Sequence, residues 1–295
     1  MSRPEKPKSL PRWRTRNFIT EVLLPSLLTR KAGVRARQSP LFPKLTGNQI
    51  CLTWIGHASF LIQTAKHNIL IDPNWANWLL VIRRLKHAGL PLHDLPNIDL
   101  VLVTHAHFDH LHRPTLRRVA ERQPVVVPHG VGDLVHNLGF EKVLEMHWWD
   151  TLSFDGLDIT FTPAKHWGAR KILDQHRGYG GFALTWQGRT VYHAGDSAWF
   201  DGFTEIGRRL RPEIALLPIG AYENPSSRDH HISPEEAVEA FRELGARTLI
   251  PMHFGTYRLS YERHHEPPQR LMLAASQAGI LPQLRFLTEG MPAVF

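Results

Sequence analysis

Thr104-His105-Ala106-His107-Phe108-Asp109-His110 follows directly on the apolar run Ile98-Asp99-Leu100-Val101-Leu102-Val103. Three imidazoles and a carboxylate at the tip of what reads as a buried strand make a poor core. While the backbone stays extended, residues two apart point to the same side, so His105, His107 and Asp109 converge. His110 joins them where the chain turns into a helix. Pro114 opens the amphipathic run 115–120 that supplies this helix. Neutral imidazole and carboxylate are ligands for zinc and related divalent ions. A metal site therefore explains the stretch better than a histidine-rich surface turn.

The same event recurs along the chain: an apolar strand ends and a His or Asp stands at its tip. It happens at His105, at His166 after the alternating run 157–162, at Asp196 after the hairpin 181–193, and at His253 after Thr248-Leu249-Ile250-Pro251-Met252. Strand tips of two packed sheets can bring such residues together. Residues 50–72 read as strands around a turn at Gly56-His57. Asp72 at their end is placed to orient a metal-binding imidazole from behind, and His57 is either a turn residue or part of the site. Further strands are expected at 123–128, 142–145 and 213–218, with a helix over 132–138. Ser233-Pro234-Glu235-Glu236 is a capping box with proline at the first helical position, and its helix should end near Gly245.

With 42% hydrophobic residues, a chain of 295 can bury one large core. The single cysteine, Cys51, excludes an internal disulfide and fits a reducing compartment, so a cytoplasmic location is expected. No run approaches the roughly 18 apolar residues that span a bilayer. The net charge of +8 is uneven: residues 1–37 carry ten Lys or Arg against Glu5 and Glu21, leaving 25 basic and 25 acidic residues elsewhere. Within this arm Phe18, Ile19, Val22, Leu23, Leu27 and Leu28 recur at helical spacing, and Pro25 is expected to kink or end the helix. Such a segment either lies on an anionic membrane, at its inner face, or packs on the domain. Residues 74–85 hold Trp75 and Trp78, aliphatics and then Arg83 and Arg84; they read as a loop touching lipid or a helix packed on the core. Nucleic acid is not an expected partner, because no basic surplus remains to line a groove.

The pattern resembles the metallo-β-lactamase superfamily, whose H-x-H-x-D-H hallmark stands at residues 105–110. More narrowly it is similar to the family of N-acyl-phosphatidylethanolamine-hydrolysing phospholipases D. That likeness rests on Trp54-Ile55-Gly56-His57-Ala58, His147-Trp148-Trp149, Thr162-Pro163-Ala164-Lys165-His166-Trp167, Ala194-Gly195-Asp196, Pro218-Ile219-Gly220-Ala221-Tyr222-Glu223, the run from His231 to Val238, and His253-Phe254-Gly255-Thr256. It covers residues 45–290. The resemblance implies an α/β fold, a four-layer αββα sandwich, with a basic arm (residues 1–40) and one hydrolase domain (residues 41–295). By it, His105, His107 and His166 would bind one zinc, Asp109, His110 and His253 a second, and Asp196 would bridge them; iron or manganese are the alternative metals. His231 would meet the substrate phosphate, with Tyr222 and Glu223 nearby. Ser197-Ala198-Trp199-Phe200 and residues 74–90 depart from the family and are expected to line the substrate's approach, whereas His230, His264 and His265 should face solvent.

The implied activity is hydrolysis of a phosphodiester in a phospholipid by a metal-bridged hydroxide, with Asp109 orienting the nucleophile and His231 serving the phosphate or the leaving group. The partner is then a phospholipid or another phosphodiester, with peripheral membrane contact through residues 1–37 and 74–85; an oligomer is compatible with the sequence. Two other classes share the ligand set: a hydrolase of a small lactone, ester or cyclic phosphodiester, and a non-catalytic metal-binding protein at a membrane.

Overall fold

Alternation along the strands divides their apolar side chains between two cores. In β1 (Cys51–Gly56) Leu52 and Trp54 enter the larger core and Ile55 the smaller, and in β2 (Ser59–Gln63) Phe60 and Ile62 part from Leu61. The same holds for Ile69 and Ile71 against Leu70 in β3 (Asn68–Ile71). A sheet whose two faces are both covered needs such a double-sided pattern. The computed structural model describes residues 16–29, 31, 40–171, 174, 176–223 and 230–295. Most of the arm's basic residues therefore lie outside the described residues.

The first sheet has the order β15-β1-β2-β3-β6-β7-β8, with β6 at Leu100–Leu102, β7 at Val125–Pro128, β8 at Val143–Met146 and β15 at Pro292–Val294. The second has the order β14-β13-β12-β11-β10-β9. Its strands are β9 (Thr151–Phe154), β10 (Leu157–Thr162), β11 (Gly181–Trp186), β12 (Arg189–His193), β13 (Ile214–Pro218) and β14 (Thr248–Met252). Inner faces meet in the larger core, where Phe60, Ile71 and Leu102 join Phe161, Phe182 and Leu216. Leu116 and Val119 of α2 (Arg113–Val119) pack in the smaller core on the outer side of the first sheet. Phe203 of α3 (Gly202–Leu210), Phe241 of α4 (Pro234–Leu244) and Leu271 of α5 (Glu266–Gln277) belong to the larger core with the second sheet. The layers are αββα, the metallo-β-lactamase fold.

This topology explains why strand tips converge. The strands β12, β13 and β14 are parallel, and β10 runs the same way because it is two antiparallel steps from β12. Their C-terminal ends share one edge, as do those of β3 and β6 in the other sheet. The capping box forms as expected: Ser233 Oγ accepts from Glu236 N at 3.2 Å, Glu236 Oε2 accepts from Ser233 N at 2.9 Å, and Gly245 closes the helix.

One expectation is corrected and two are narrowed. Residues 132–138 are not a helix: a single 3₁₀ turn, Gly132–Leu134, is followed by further turns, which bury Val131, Val135 and Leu138 without α geometry. Pro25 does not end the arm helix. A π turn, Ile19–Leu23, runs directly into α1 (Leu24–Leu28), so the winding changes next to the proline, which lacks an N–H for the ladder. Of the two readings of residues 74–85 the packed helix is excluded: Trp78–Leu79 (β4) and Ile82–Arg83 (β5) pair as a separate hairpin with Leu80 and Val81 at its exposed tip.

Candidate metal centre

The hexapeptide leaves β6 with its backbone tied down. Thr104 donates twice to Asp72 at the end of β3, from N to Oδ1 and from Oγ1 to Oδ2, each at 2.7 Å. Arg170 Nη1 donates to the carbonyls of Ala106 and Leu111 at 2.8 and 2.7 Å, and its guanidinium lies 3.8 Å over the Phe108 ring. The loop is thus clamped from both sides before any side chain turns inward.

Two groups of donor atoms result. In the first, His107 Nδ1 stands 2.9 Å from His105 Nε2 and 3.2 Å from His166 Nε2. In the second, Asp109 Oδ2 lies 3.6 Å from His110 Nε2, 3.4 Å from His253 Nε2 and 2.9 Å from His57 Nε2. Asp196 reaches both: Oδ2 is 3.7 Å from His105 Nε2 and 3.1 Å from His110 Nε2, while Oδ1 is 3.2 Å from His253 Nε2. Its approach depends on Gly195, at φ +62°, where a Cβ would come within 2.5 Å of Gly180 O. Ser197, fully buried, accepts from Lys165 N and so pins Asp196 beside His166; this residue braces the site and does not line an approach to it.

His110 Nε2, Asp196 Oδ1 and His253 Nε2 are buried without a hydrogen bond. Each such atom costs about 1–3 kcal/mol, and their convergence is what a divalent cation would satisfy. The donors lie within 4.8 Å of one another in each group, so the residues fit metal ions. His57, Asp72 and His253 also hold positive φ of 56°, 45° and 61°, a strain of about 1–3 kcal/mol each that collects at functional sites.

The charges oppose burial. Burial alone would lower His253 and raise Asp196, but their mutual attraction and that of Asp109 prevail, so His253 rises to about 9 and both carboxylates fall well below their ordinary range. His110, facing Asp196, Asp109 and Asp72, is raised well above the usual histidine value despite its burial. Burial dominates at His107 and His231, each lowered to about 4, and at His57, lowered to about 3.

All seven expected ligand residues come together. Asp72 stands behind His110, with Oδ2 2.6 Å from Nδ1, and His57 belongs to the second group. His231 Nδ1 is 3.9 Å from Asp196 Oδ2. His230 does not simply face solvent: its carbonyl accepts from His166 Nδ1 at 3.0 Å and fixes that tautomer. Tyr222 and Glu223 are turned elsewhere, the phenol donating to Glu266 Oε1 at 2.8 Å and the carboxylate accepting from Arg16 at 2.6 Å. Arg170 and Asn74, which donates from Nδ2 to Asp109 O at 2.7 Å, were not singled out by the sequence. Trp167 was noted only as part of a motif; its ring lies 4.6 Å from that of His107 and is 42% exposed.

A family model described as the beta-lactamase superfamily domain matches residues 67–254. N-acyl-phosphatidylethanolamine-hydrolyzing phospholipase D 1 of Caenorhabditis elegans is 32% identical over 265 residues, covering 82% of this chain and 74% of that protein. A metal-dependent hydrolase of Rubrobacter xylanophilus is 35% identical over 228 residues, 72% of this chain and 87% of its own. Among solved structures, a metallo hydrolase from the archaeon Ignicoccus hospitalis matches with a TM-score of 0.66 at 26% identity, over 84% of this chain and 98% of the other. With the αββα fold and the two donor groups, these matches establish that the chain belongs to the metallo-β-lactamase superfamily and is a metal-dependent hydrolase.

Proposed function

We propose that the protein is a two-zinc phosphodiesterase acting on N-acylated phosphatidylethanolamine, releasing phosphatidate and an N-acylethanolamine. The observation that carries the two-metal reading is Asp196, whose two oxygens reach both donor groups. The substrate reading is supported by the name of the nematode relative and by the exposed Trp167 ring beside His107. When bound, two zinc ions supply a water of lowered pKa and Lewis acidity toward a phosphoryl oxygen. His105, His107 and His166 would hold one ion, Asp109, His110 and His253 the other, with Asp196 shared. His57 fixes the Asp109 carboxylate from behind. His231, which burial lowers to about 4, would offer a hydrogen bond to a phosphoryl oxygen or to the leaving oxygen.

In the proposed reaction water adds OH to phosphorus, the bond from phosphorus to the ethanolamine oxygen breaks, and the remaining proton ends on that oxygen. Hydrolysis in ¹⁸O-water tests this: the label belongs in phosphatidate, and label in the N-acylethanolamine would refute attack at phosphorus.

Metal uptake carries a pH signature. Without metal, His253 holds a proton up to about 9, whereas ligation needs the neutral ring, so binding releases protons. Apparent zinc affinity should rise about tenfold per pH unit for each proton released, the His253 contribution persisting up to about pH 9. Competition titrations against a chelator read this directly; an affinity independent of pH over that range would contradict it.

For the membrane we propose contact through the arm and the hairpin. Ile19, Leu24, Leu27 and Leu28 are exposed on the arm helix, and Trp78, Leu80 and Val81 on β4–β5. The two elements touch, Arg83 Nη1 donating to Leu27 O at 3.1 Å. No helix among the described residues is long and apolar enough to cross a membrane, so the contact is with the surface. Each basic residue near anionic lipid adds about 1 kcal/mol. The protein should float with phosphatidylglycerol vesicles and not with phosphatidylcholine vesicles, and Leu80→Asp with Val81→Asp should abolish flotation. Unchanged flotation of that variant would refute the role of the hairpin.

A further inference from the structure

Arg84 follows β5 and is 2% exposed, yet among the described residues no carboxylate pairs with it. Its acceptors are neutral: Nε donates to Lys86 O at 2.8 Å, and Nη1 to Asn74 O at 3.1 Å and to Tyr257 Oη at 3.0 Å. Nη2 is buried without a partner, and it packs so closely on Gly56 that a Cβ there would stand 2.9 Å away. A buried guanidinium without a counter-charge is expensive. What it supplies in return is a rigid fork of donors that ties three chain segments to one point, which no apolar side chain and no lysine can do.

Those segments lead to Asp109. Asn74, fully buried, donates from Nδ2 to Asp109 O at 2.7 Å while its Oδ1 accepts from Ala76 N at 2.8 Å. Tyr257 Oη donates to Ala76 O at 2.7 Å, and its ring stands edge-on to His57 at 5.3 Å. His57 in turn contacts Asp109 Oδ2 at 2.9 Å, and its backbone N–H donates to Thr256 Oγ1 at 2.8 Å. Asp109 is therefore held at its carbonyl by Asn74 and at its carboxylate by His57, and both supports rest on the Arg84–Tyr257 pair. The hairpin is bound to the same unit, Arg84 N donating to Asn77 O and Leu85 N to Thr256 O. His105, His107 and His166 make none of these contacts.

We propose that Arg84, Tyr257 and Asn74 form a positioning unit for Asp109 that couples the apolar β4–β5 hairpin to one of the two metal sites, the one built on Asp109, His110 and His253. The proposal rests on the two-metal reading above. Losing a support of this kind lowers metal affinity about 10–100-fold, and here the loss should be confined to one site. A hairpin displaced at a lipid surface would then alter that site and spare the other.

The test is zinc titration of the metal-free full-length protein, with His166→Ala and His253→Ala identifying which site is which. Tyr257→Phe keeps the ring and removes the hydroxyl; Arg84→Lys keeps the charge and removes the fork. Both should weaken the His253-dependent site about 10–100-fold and leave the His166-dependent site within about twofold. Unchanged affinity at both sites in Tyr257→Phe, or equal weakening of both, overturns the proposal. A wild-type protein that binds fewer than two zincs would instead remove the two-metal reading itself.

Discussion

Asp196→Asn is expected to lower kcat/KM at least about 10³-fold, roughly 4 kcal/mol of lost transition-state stabilisation, and to reduce bound metal at both positions. The side chain is buried, and its oxygens stand 3.1 Å from His110 Nε2 and 3.2 Å from His253 Nε2 while also facing His105. Asparagine preserves the volume and one acceptor oxygen. It removes the negative charge that holds His110 and His253 in their raised state in the metal-free protein and that would offset two cations in the proposed two-zinc state. No neighbour can replace it, because Gly195 and Ser197 fix the backbone on either side. Elemental analysis with turnover on the same sample reads both effects. A variant with full metal content and full turnover would show that Asp196 is not shared between the sites.

Asp72→Ala should lower metal affinity about 10–100-fold and destabilise the fold by about 3–5 kcal/mol, although Asp72 touches no substrate. Its two oxygens accept from Thr104 N, Thr104 Oγ1 and His110 Nδ1 at 2.6–2.7 Å, with no exposure on either side of the His110 pair. Removing the carboxylate orphans three buried donors at once and frees the His110 ring to rotate. Asp72→Asn retains the acceptor for Thr104 N and should recover much of the stability and little of the affinity. Urea unfolding of the metal-free proteins separates the two effects. Wild-type stability in Asp72→Ala would mean that Thr104 and His110 find other partners.

The candidate ligands were legible because they follow from rules local in sequence. The continuous apolar run 100–103 identifies a buried strand, the hexapeptide sits at its tip, and parallel β12, β13 and β14 bring Asp196 and His253 to the same edge. His57 was ambiguous for a physical reason: a histidine in a tight turn with φ 56° is unusual, and the sequence does not reveal that its ring points inward. Arg84 lies beside Arg83 in a stretch that reads as a lipid-touching loop or a packed helix, and only the fold shows it sealed between Gly56 and Tyr257. Arg170 carries no motif, since its partners are the carbonyls of Ala106 and Leu111, about 60 residues upstream. Tyr222 and Glu223 drew attention by family likeness, while Glu266 and Arg16 engage their polar atoms. At 132–138 the burial spacing was right and the helix was not, because successive turns can present the same residues inward.

The decisive measurement is zinc titration of the metal-free protein with N-acyl-phosphatidylethanolamine hydrolysis followed on the same samples by mass spectrometry. Two zincs per chain are expected, with phosphatidate and N-acylethanolamine appearing together as the second equivalent binds. Two bound zincs without phospholipid turnover would contradict the substrate and keep the metallohydrolase, whereas turnover in the rigorously metal-free protein would contradict the role given to His105, Asp109 and Asp196.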